Sequence, residues 1–187
     1  PPLESGKLLG QLTLDACEGV SPCNVVYFYG LKGTPIDTAV KLGWDEVVAA
    51  NPDVTVVAEA EGQYLGPDVA LAAMQDVLQS TENVNVVTGP DQAMVGAQLA
   101  IEDAGVSGIK IIGFGGSEVA IAAISSGAWF GDVFGAPFTE GQLAMNAMIA
   151  ALRDGTVTGG VNPLLDFPNG GLVNASNVAD FTPQWAG

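Results

Sequence analysis

Short runs of β-branched and aromatic residues alternate with amphipathic stretches from one end of this 187-residue chain to the other, and that alternation constrains the fold more than any other feature. The runs "NVVYFYG" (24–30), "VTVVAEA" (54–60), "VNVVTG" (84–89), "IKIIGF" (109–114) and "AWFGDVFG" (128–135) read as strands. Helical spacing fills the stretches 4–17, 34–50, 67–80, 91–104, 117–126 and 139–155. Leu8, Leu12 and Ala16 share the first helical face. Ile36, Val40, Trp44, Val47 and Val48 form the second stripe, with Asp37 and Lys41 as an exposed i,i+4 pair. Asp91 and Thr139 are expected to cap their helices, and Gly127 and Gly155 to stop theirs. The expected fold class is therefore α/β: an open, mostly parallel sheet with helices on both faces. Strands that are apolar throughout fit burial on both sides. The tail from Thr156 is rich in Gly and Pro, with one further strand near "GLVNAS" (171–176).

Charge excludes several partners. Five Lys and Arg stand against 21 Asp and Glu, a net charge of −16, and the cations Lys7, Lys32, Lys41, Lys110 and Arg153 are scattered. A nucleic-acid surface needs clustered cations to displace phosphate counterions, so no nucleic-acid partner is expected. The chain has no histidine, which removes the commonest general base and metal ligand. Two cysteines are too few for a four-ligand zinc site without help from carboxylates, and neither a metal nor another cofactor is expected. Cys17 and Cys23 flank a tight turn in "DACEGVSPC" and suit a disulfide; two small buried thiols are the alternative. A disulfide would imply an oxidising compartment.

In an open parallel sheet, ligands bind beyond the carboxyl ends of the strands. Those ends are "GLKGTPID" (30–37), "EAEGQYLG" (59–66), "TGPDQ" (88–92), "GFGGSE" (113–118) and "FGAP" (134–137). "GFGGSE" has the strand–glycine–helix layout of a phosphate cradle, but Gly113 and Gly115 are followed by Glu118, and no G-K-[ST] is present. A plain glycine turn is the simpler reading. A nucleophile elbow is absent, and Glu59 and Glu61 read as solvated acids rather than a catalytic pair. Tyr64 sits in a strand-end loop, suited to rim packing or to stacking on a ligand ring.

The ordered set of segments resembles the second half of the type I periplasmic binding proteins, the ribose-binding-protein-like sugar-binding components of ABC importers. "GTPIDTAVKLGWDEVVAANPDVTVV" is similar to the family's G-T-x-x-x-x-x-R-x-x-G-F helix and following strand. "DVALAAMQDVLQSTENVNVVTGPDQAMVGAQLAIEDAG" resembles its N-D-x-x-A-x-G-A segment, "IKIIGFGGSEVAIAAISSG" its V-x-G-F-D stretch, and "GLVNASNVADF" its closing strand. The resemblance implies a carboxy-terminal α/β lobe over 3–135, a crossover and helix over 136–160 that packs on an amino-terminal lobe, and a return strand and tail over 161–187. That other lobe would come from the same chain or from a partner chain, and the stripe of Leu143, Ala147, Met148, Ala151 and Leu152 would bury against it.

The resemblance implies a non-enzymatic solute-binding role with a small sugar-like or polyol-like ligand and an ABC permease as partners. It further implies a periplasmic or extracellular location, with any lipid anchor in a segment outside these residues. Ligand-binding positions would be Asp37, Val40, Tyr64, Pro90, Asp91, Gly115 and Gly135. Four of them depart from the family: Val40 replaces an arginine, Pro90 an asparagine, Gly115 an aspartate and Gly135 a glutamine. A smaller or less polar ligand, or a pocket anchored mainly by the other lobe, is expected. The alternative roles are the ligand-sensing domain of a repressor-type regulator or receptor partner, and an enzyme of Rossmann or flavodoxin type.

Overall fold

The computed structural model describes residues 1–157 and 159–187; Thr158, inside the expected 136–160 crossover, lies outside the described residues. Helices α1 (Pro2–Cys17), α2 (Pro35–Val48), α3 (Asp68–Ser80), α4 (Asp91–Asp103), α5 (Glu118–Ser126) and α6 (Pro137–Asp154) alternate with strands. The strands are β1 (Cys23–Tyr29), β2 (Val54–Glu61), β3 (Val86–Thr88), β4 (Lys110–Phe114), β5 (Gly131–Val133) and β6 (Leu172–Asn174). They form one sheet in the order β2-β1-β3-β4-β5-β6, parallel except for β6, which runs antiparallel to β5. The order reverses between β1 and β3, and such switch points open a crevice at the carboxyl ends of the strands.

Both faces of the sheet are covered. Val25, Tyr27, Val86, Ile112 and Val133 pack on one side against Leu9, Leu12 and Ala16 of α1 and Val40, Trp44 and Val48 of α2. Val26, Phe28, Val87 and Ile111 pack on the other side with Met74 of α3, Met94 and Ala97 of α4 and Ile121 and Ile124 of α5. The α2 stripe is narrower than its spacing predicts: Ile36 is exposed and Val47 half-buried, because α2 meets the sheet through Val40, Trp44 and Val48. On α1 the buried line runs through Leu9 rather than Leu8.

Cys17 and Cys23 form a disulfide that ties the end of α1 to the start of β1. Lys110 adds a second tie, donating from Nζ to the Ala16 carbonyl (2.5 Å) near the end of α1, where a cation complements the helix dipole. Two helix ends differ from expectation. Ala136 takes the N-cap position of α6, with Pro137 in the first turn, so Thr139 lies inside the helix instead of capping it. Pro90 takes the N-cap position of α4, so Asp91 is free to bond elsewhere. No residue of α6 is buried, and among the described residues no helix is long and apolar enough to cross a membrane.

Small residues let α1 and α2 approach closely. A Cβ built on Gly6 would sit 2.0 Å from the Val40 carbonyl oxygen, and one on Gly43 would sit 2.1 Å from the Leu3 carbonyl oxygen. Both obstacles are backbone, which cannot rotate away. Gly6→Ala and Gly43→Ala are each expected to lower stability by about 1–3 kcal/mol in urea denaturation, the usual range for overpacking. Gly141→Ala on α6 meets nothing within 4 Å and is expected to be neutral or stabilising by about 0.5–1 kcal/mol, through helix propensity alone.

Candidate functional site

Two clusters stand at the carboxyl ends of the strands. The first ties β1 to β2 through Asp37. This side chain is only 5% exposed, because α2 is capped by Thr34 and turns Asp37 back under the loop. Its Oδ1 accepts from the Gly30 amide (2.8 Å) and the Tyr64 hydroxyl (2.9 Å). Its Oδ2 accepts from the Thr34 hydroxyl (2.7 Å) and the Leu31 amide (3.2 Å). Four bonds occupy the carboxylate, so it organises the loop. Burial, and then the bond to Asp37, push the Tyr64 hydroxyl well above its usual range.

The expected exposed Asp37–Lys41 pair does not form. Asp37 is buried, and Lys41 instead pairs with Asp45 (2.6 Å) and Glu59 (3.3 Å). Partial burial opposes ionisation of Glu59, yet Lys32 and Lys41 hold its carboxyl below the ordinary value. Burial and the neighbouring Glu59 push the Tyr29 hydroxyl up to about 12.

The second cluster lies under the turn between β4 and α5. Asp91, 1% exposed, accepts the Ser117 amide on Oδ2 (2.9 Å). Asp132, fully buried in β5, accepts the Gly116 amide on Oδ1 (2.8 Å). The other two oxygens, Asp91 Oδ1 and Asp132 Oδ2, have no ordinary hydrogen-bond partner among the described residues and converge over Gly113. A Cβ on Gly113 would lie 2.6 Å from the first and 2.2 Å from the second. Two buried carboxylates this close cannot both ionise, and one proton between the facing oxygens satisfies both. Burial, then the Asp91 charge, raise the Asp132 carboxyl well above its ordinary value, against the opposing pull of the Gly116 and Gly115 amides. The pair thus grips two successive amides of one turn. The alternation of apolar residues in β5 places Asp132 inside the sheet, but its partnership with Asp91 spans 41 positions and no sequence spacing announces it.

Beside this turn, Phe114, Gly115, Phe134, Gly135, Pro163 and Trp185 line much of a cleft of about 660 Å³. A comparable hollow of about 730 Å³ lies at the amino ends of β4 and β5, the end of a parallel sheet where ligands are not usually held. Gly115 has φ 153°, and a Cβ there would press on Asp91 Oδ2 (2.8 Å) and the Trp185 ring (2.9 Å). A Cβ on Gly135 would sit 2.5 Å from the Gly115 carbonyl oxygen. The two glycines therefore form a floor of bare backbone. Trp185 donates from its indole nitrogen to the Gly115 carbonyl (2.7 Å), and its own carbonyl accepts the Glu118 amide (3.0 Å). Trp185 carries no signal in the sequence beyond being an aromatic in a Pro- and Gly-rich tail.

The structure brings Gly115 and Gly135 together on the cleft, sets Asp91 directly behind Gly115, and stacks Pro90 at the start of α4. Asp37 and Tyr64 form the separate β1–β2 cluster. Val40 stands apart from both, buried where α1 meets α2. Among the described residues, no group of three or more His, Cys, Asp or Glu is placed to hold a metal ion.

The acid pair predicts a pH dependence. The folded-state pKa of Asp132 is raised, so stability should fall as pH rises from the ordinary carboxyl value of about 4 through the raised value, and level off above it. Asp132→Asn supplies an N–H to Asp91 without a titratable proton. Relative to that variant, the wild type should lose stability with rising pH in urea denaturation, and a constant difference would remove the shared proton. Asp37→Ala leaves the Gly30 and Leu31 amides and two hydroxyls without their acceptor, and is expected to cost about 3 kcal/mol in the same measurement.

Comparison with known proteins adds the lineage. No match is found among curated proteins. An ABC transporter solute binding protein from Mycobacterium smegmatis, solved with bound glycerol, superposes with a TM-score of 0.82 at 23% identity, covering 100% of this chain and 64% of that one. The periplasmic component of the arabinose ABC transporter from Shewanella sp. ANA-3, bound to L-arabinofuranose, gives a TM-score of 0.82 at 22% identity over 95% of this chain and 58% of that one. A second Mycobacterium smegmatis protein, in complex with β-D-fucofuranose, gives 0.77 at 25% identity over 87% and 55%. The chain thus spans less than two thirds of each of these proteins. The profile of the periplasmic binding protein domain matches residues 2–156, and with that match over most of its length the chain belongs to the periplasmic binding protein domain family.

Proposed function

We propose that this chain is the carboxy-terminal lobe of the solute-binding component of an ABC importer. In this reading it closes with an amino-terminal lobe over a small, neutral, sugar-like or polyol-like ligand and performs no chemistry on it. The observation that carries the reading is α6. Its 18 residues include no buried one, and Phe138, Met145, Met148 and Leu152 are all at least half exposed. An amphipathic helix that the described residues leave this exposed gains most of its stability from a partner surface, and the solved relatives extend well beyond the length of this chain. An amino-terminal lobe, from the same chain or a partner chain, supplies that surface and the facing wall of the cleft.

Gly115 and Gly135 would line the ligand site and Tyr64 would stand at its rim. Asp37, Pro90 and Asp91 would hold the loops behind them, and Val40 would support α2 from within the core. Relatives solved with glycerol, D-allose, myo-inositol or L-arabinofuranose support a polyhydroxylated neutral ligand. The Cys17–Cys23 bond suits an oxidising periplasmic or extracellular compartment. Ligand would shift the population toward the closed state, and the permease would read that closure.

The test is a thermal-shift screen of glycerol, myo-inositol, L-arabinose and D-allose against the protein carrying both lobes. A ligand at about a hundred times its Kd adds about 2.7 kcal/mol, and Tm is expected to rise by about 5 °C or more. A flat response to every neutral sugar and polyol would refute the reading.

A further inference from the structure

We propose that Gln184 is a positioning residue: through it the carboxy-terminal tail straps the start of α6 to the Gly115 turn, so that two walls of the strand-end cleft keep one mutual position and a ligand meets a site already assembled. The proposal rests on the reading of that cleft as the ligand site.

Backbone accounting carries it. A helix leaves its first amides without intrahelical acceptors. At α6 the N-cap is Ala136, whose side chain can accept nothing, and Pro137 has no amide hydrogen. The Thr139 amide donates instead to Oε1 of Gln184, 45 positions away (3.0 Å), and Gln184 Nε2 donates to the Thr139 hydroxyl (2.8 Å). Two bonds to one residue fix orientation as well as distance. The next tail residue closes a second helix. The Glu118 amide, the first of α5, donates to the Trp185 carbonyl (3.0 Å), and the Trp185 indole nitrogen donates to the Gly115 carbonyl (2.7 Å). Adjacent residues of the tail thus hold the amino ends of α5 and α6 together.

The places of those two helices give the strap its role. α5 opens directly from the Gly115 turn, whereas α6 begins beyond Gly135 and Ala136, where the chain leaves the sheet. Pro137 and Glu140 of α6 line the same cleft as Phe114 and Gly115. The link Gly135–Ala136 joins these walls along the chain, and the tail joins them a second time. The tail is itself anchored just upstream, where buried Phe181 packs on Phe134 with ring centroids 5.0 Å apart. Walls already held in position lose little entropy when a ligand arrives. In the proposed assembly α6 also packs on the amino-terminal lobe, so the strap carries that lobe's position to the Gly115 turn.

The test uses the protein carrying both lobes and reads two quantities. The first is amide hydrogen exchange at Thr139 and Glu118, followed by NMR without ligand. Gln184→Leu removes both bonds to Thr139 and leaves the Trp185 groups in place; it is expected to speed exchange about tenfold at Thr139 and about threefold or more at Glu118, the far end. Trp185→Phe cuts the indole bond and is expected to speed exchange at Thr139 in return. Gln184→Glu, whose carboxylate accepts from the Thr139 amide and hydroxyl alike, is expected to exchange as wild type. The second quantity is Kd by calorimetry, with glycerol, myo-inositol, L-arabinose and D-allose as probes. Gln184→Leu is expected to weaken binding about three- to tenfold, and Gln184→Glu to restore it. The double variant Gln184→Leu/Trp185→Phe is expected to bind no worse than the weaker single variant, since a strap cut at one end is already cut. Exchange changes confined to the mutated end would overturn the strap, and so would additive losses of affinity. Coupled exchange with unchanged Kd in Gln184→Leu would overturn the positioning role. If the wild type binds none of the probes while exchange stays coupled, the reading of the cleft has failed and the positioning role falls with it.

Discussion

The constraint on which the rest depends is that a parallel sheet must be covered on both faces. Its strands carry apolar residues on both sides, so helices pack above and below and no face is left for a ligand. Polar and adaptable groups are left to the exposed helix faces and to the loops at the two ends of the sheet, and at the carboxyl ends the chain turns from strand to helix. The two polar clusters lie there for that reason. Each is a carboxylate turned inward to hold loop amides: Asp37 for the Gly30–Leu31 turn, and the Asp91–Asp132 pair for the Gly116–Ser117 turn. Loops fixed from behind can present backbone and ring surfaces with little further ordering.

That arrangement separates support from contact. Acidic residues placed at strand ends look, in the sequence, like groups that reach for a ligand. In the folded chain Asp37 and Asp91 are buried and bonded, and what the cleft offers is glycine backbone and aromatic rings. The high net negative charge therefore says little about the cleft. Glu59 is drawn into pairs with Lys32 and Lys41 at the edge of the sheet, away from the Gly115 floor.

The architecture was legible because it rests on periodicity. Apolar runs gave five strands and amphipathic spacing gave six helices, each within a few residues of its observed bounds. Errors gathered where a choice between neighbours depended on tertiary contact. Ile36 has the right spacing to be buried, but α2 meets the core through Val40, Trp44 and Val48 and leaves it exposed. Asp91 has the right chemistry for a helix cap, but Pro90 already sets the helix entry and the Ser117 amide claims its oxygen. Asp132 and Trp185 could not be found by pattern. One is a single polar residue within an apolar strand. The other is an aromatic in an aperiodic tail, whose place comes from one indole bond to Gly115.

The bare floor of the cleft has an evolutionary consequence. At Gly115 any side chain would collide with Asp91 and Trp185 in a backbone conformation that favours glycine, and at Gly135 it would strike the Gly115 carbonyl. A single substitution cannot install a polar anchor at either place without moving the turn that the acid pair holds. On the proposed reading of the cleft, divergence toward a new ligand is thereby channelled away from the floor and into the rim loops. Directed-evolution libraries aimed at the two glycines should be dominated by misassembled turns, while the same diversity spent on the rim leaves the turn intact.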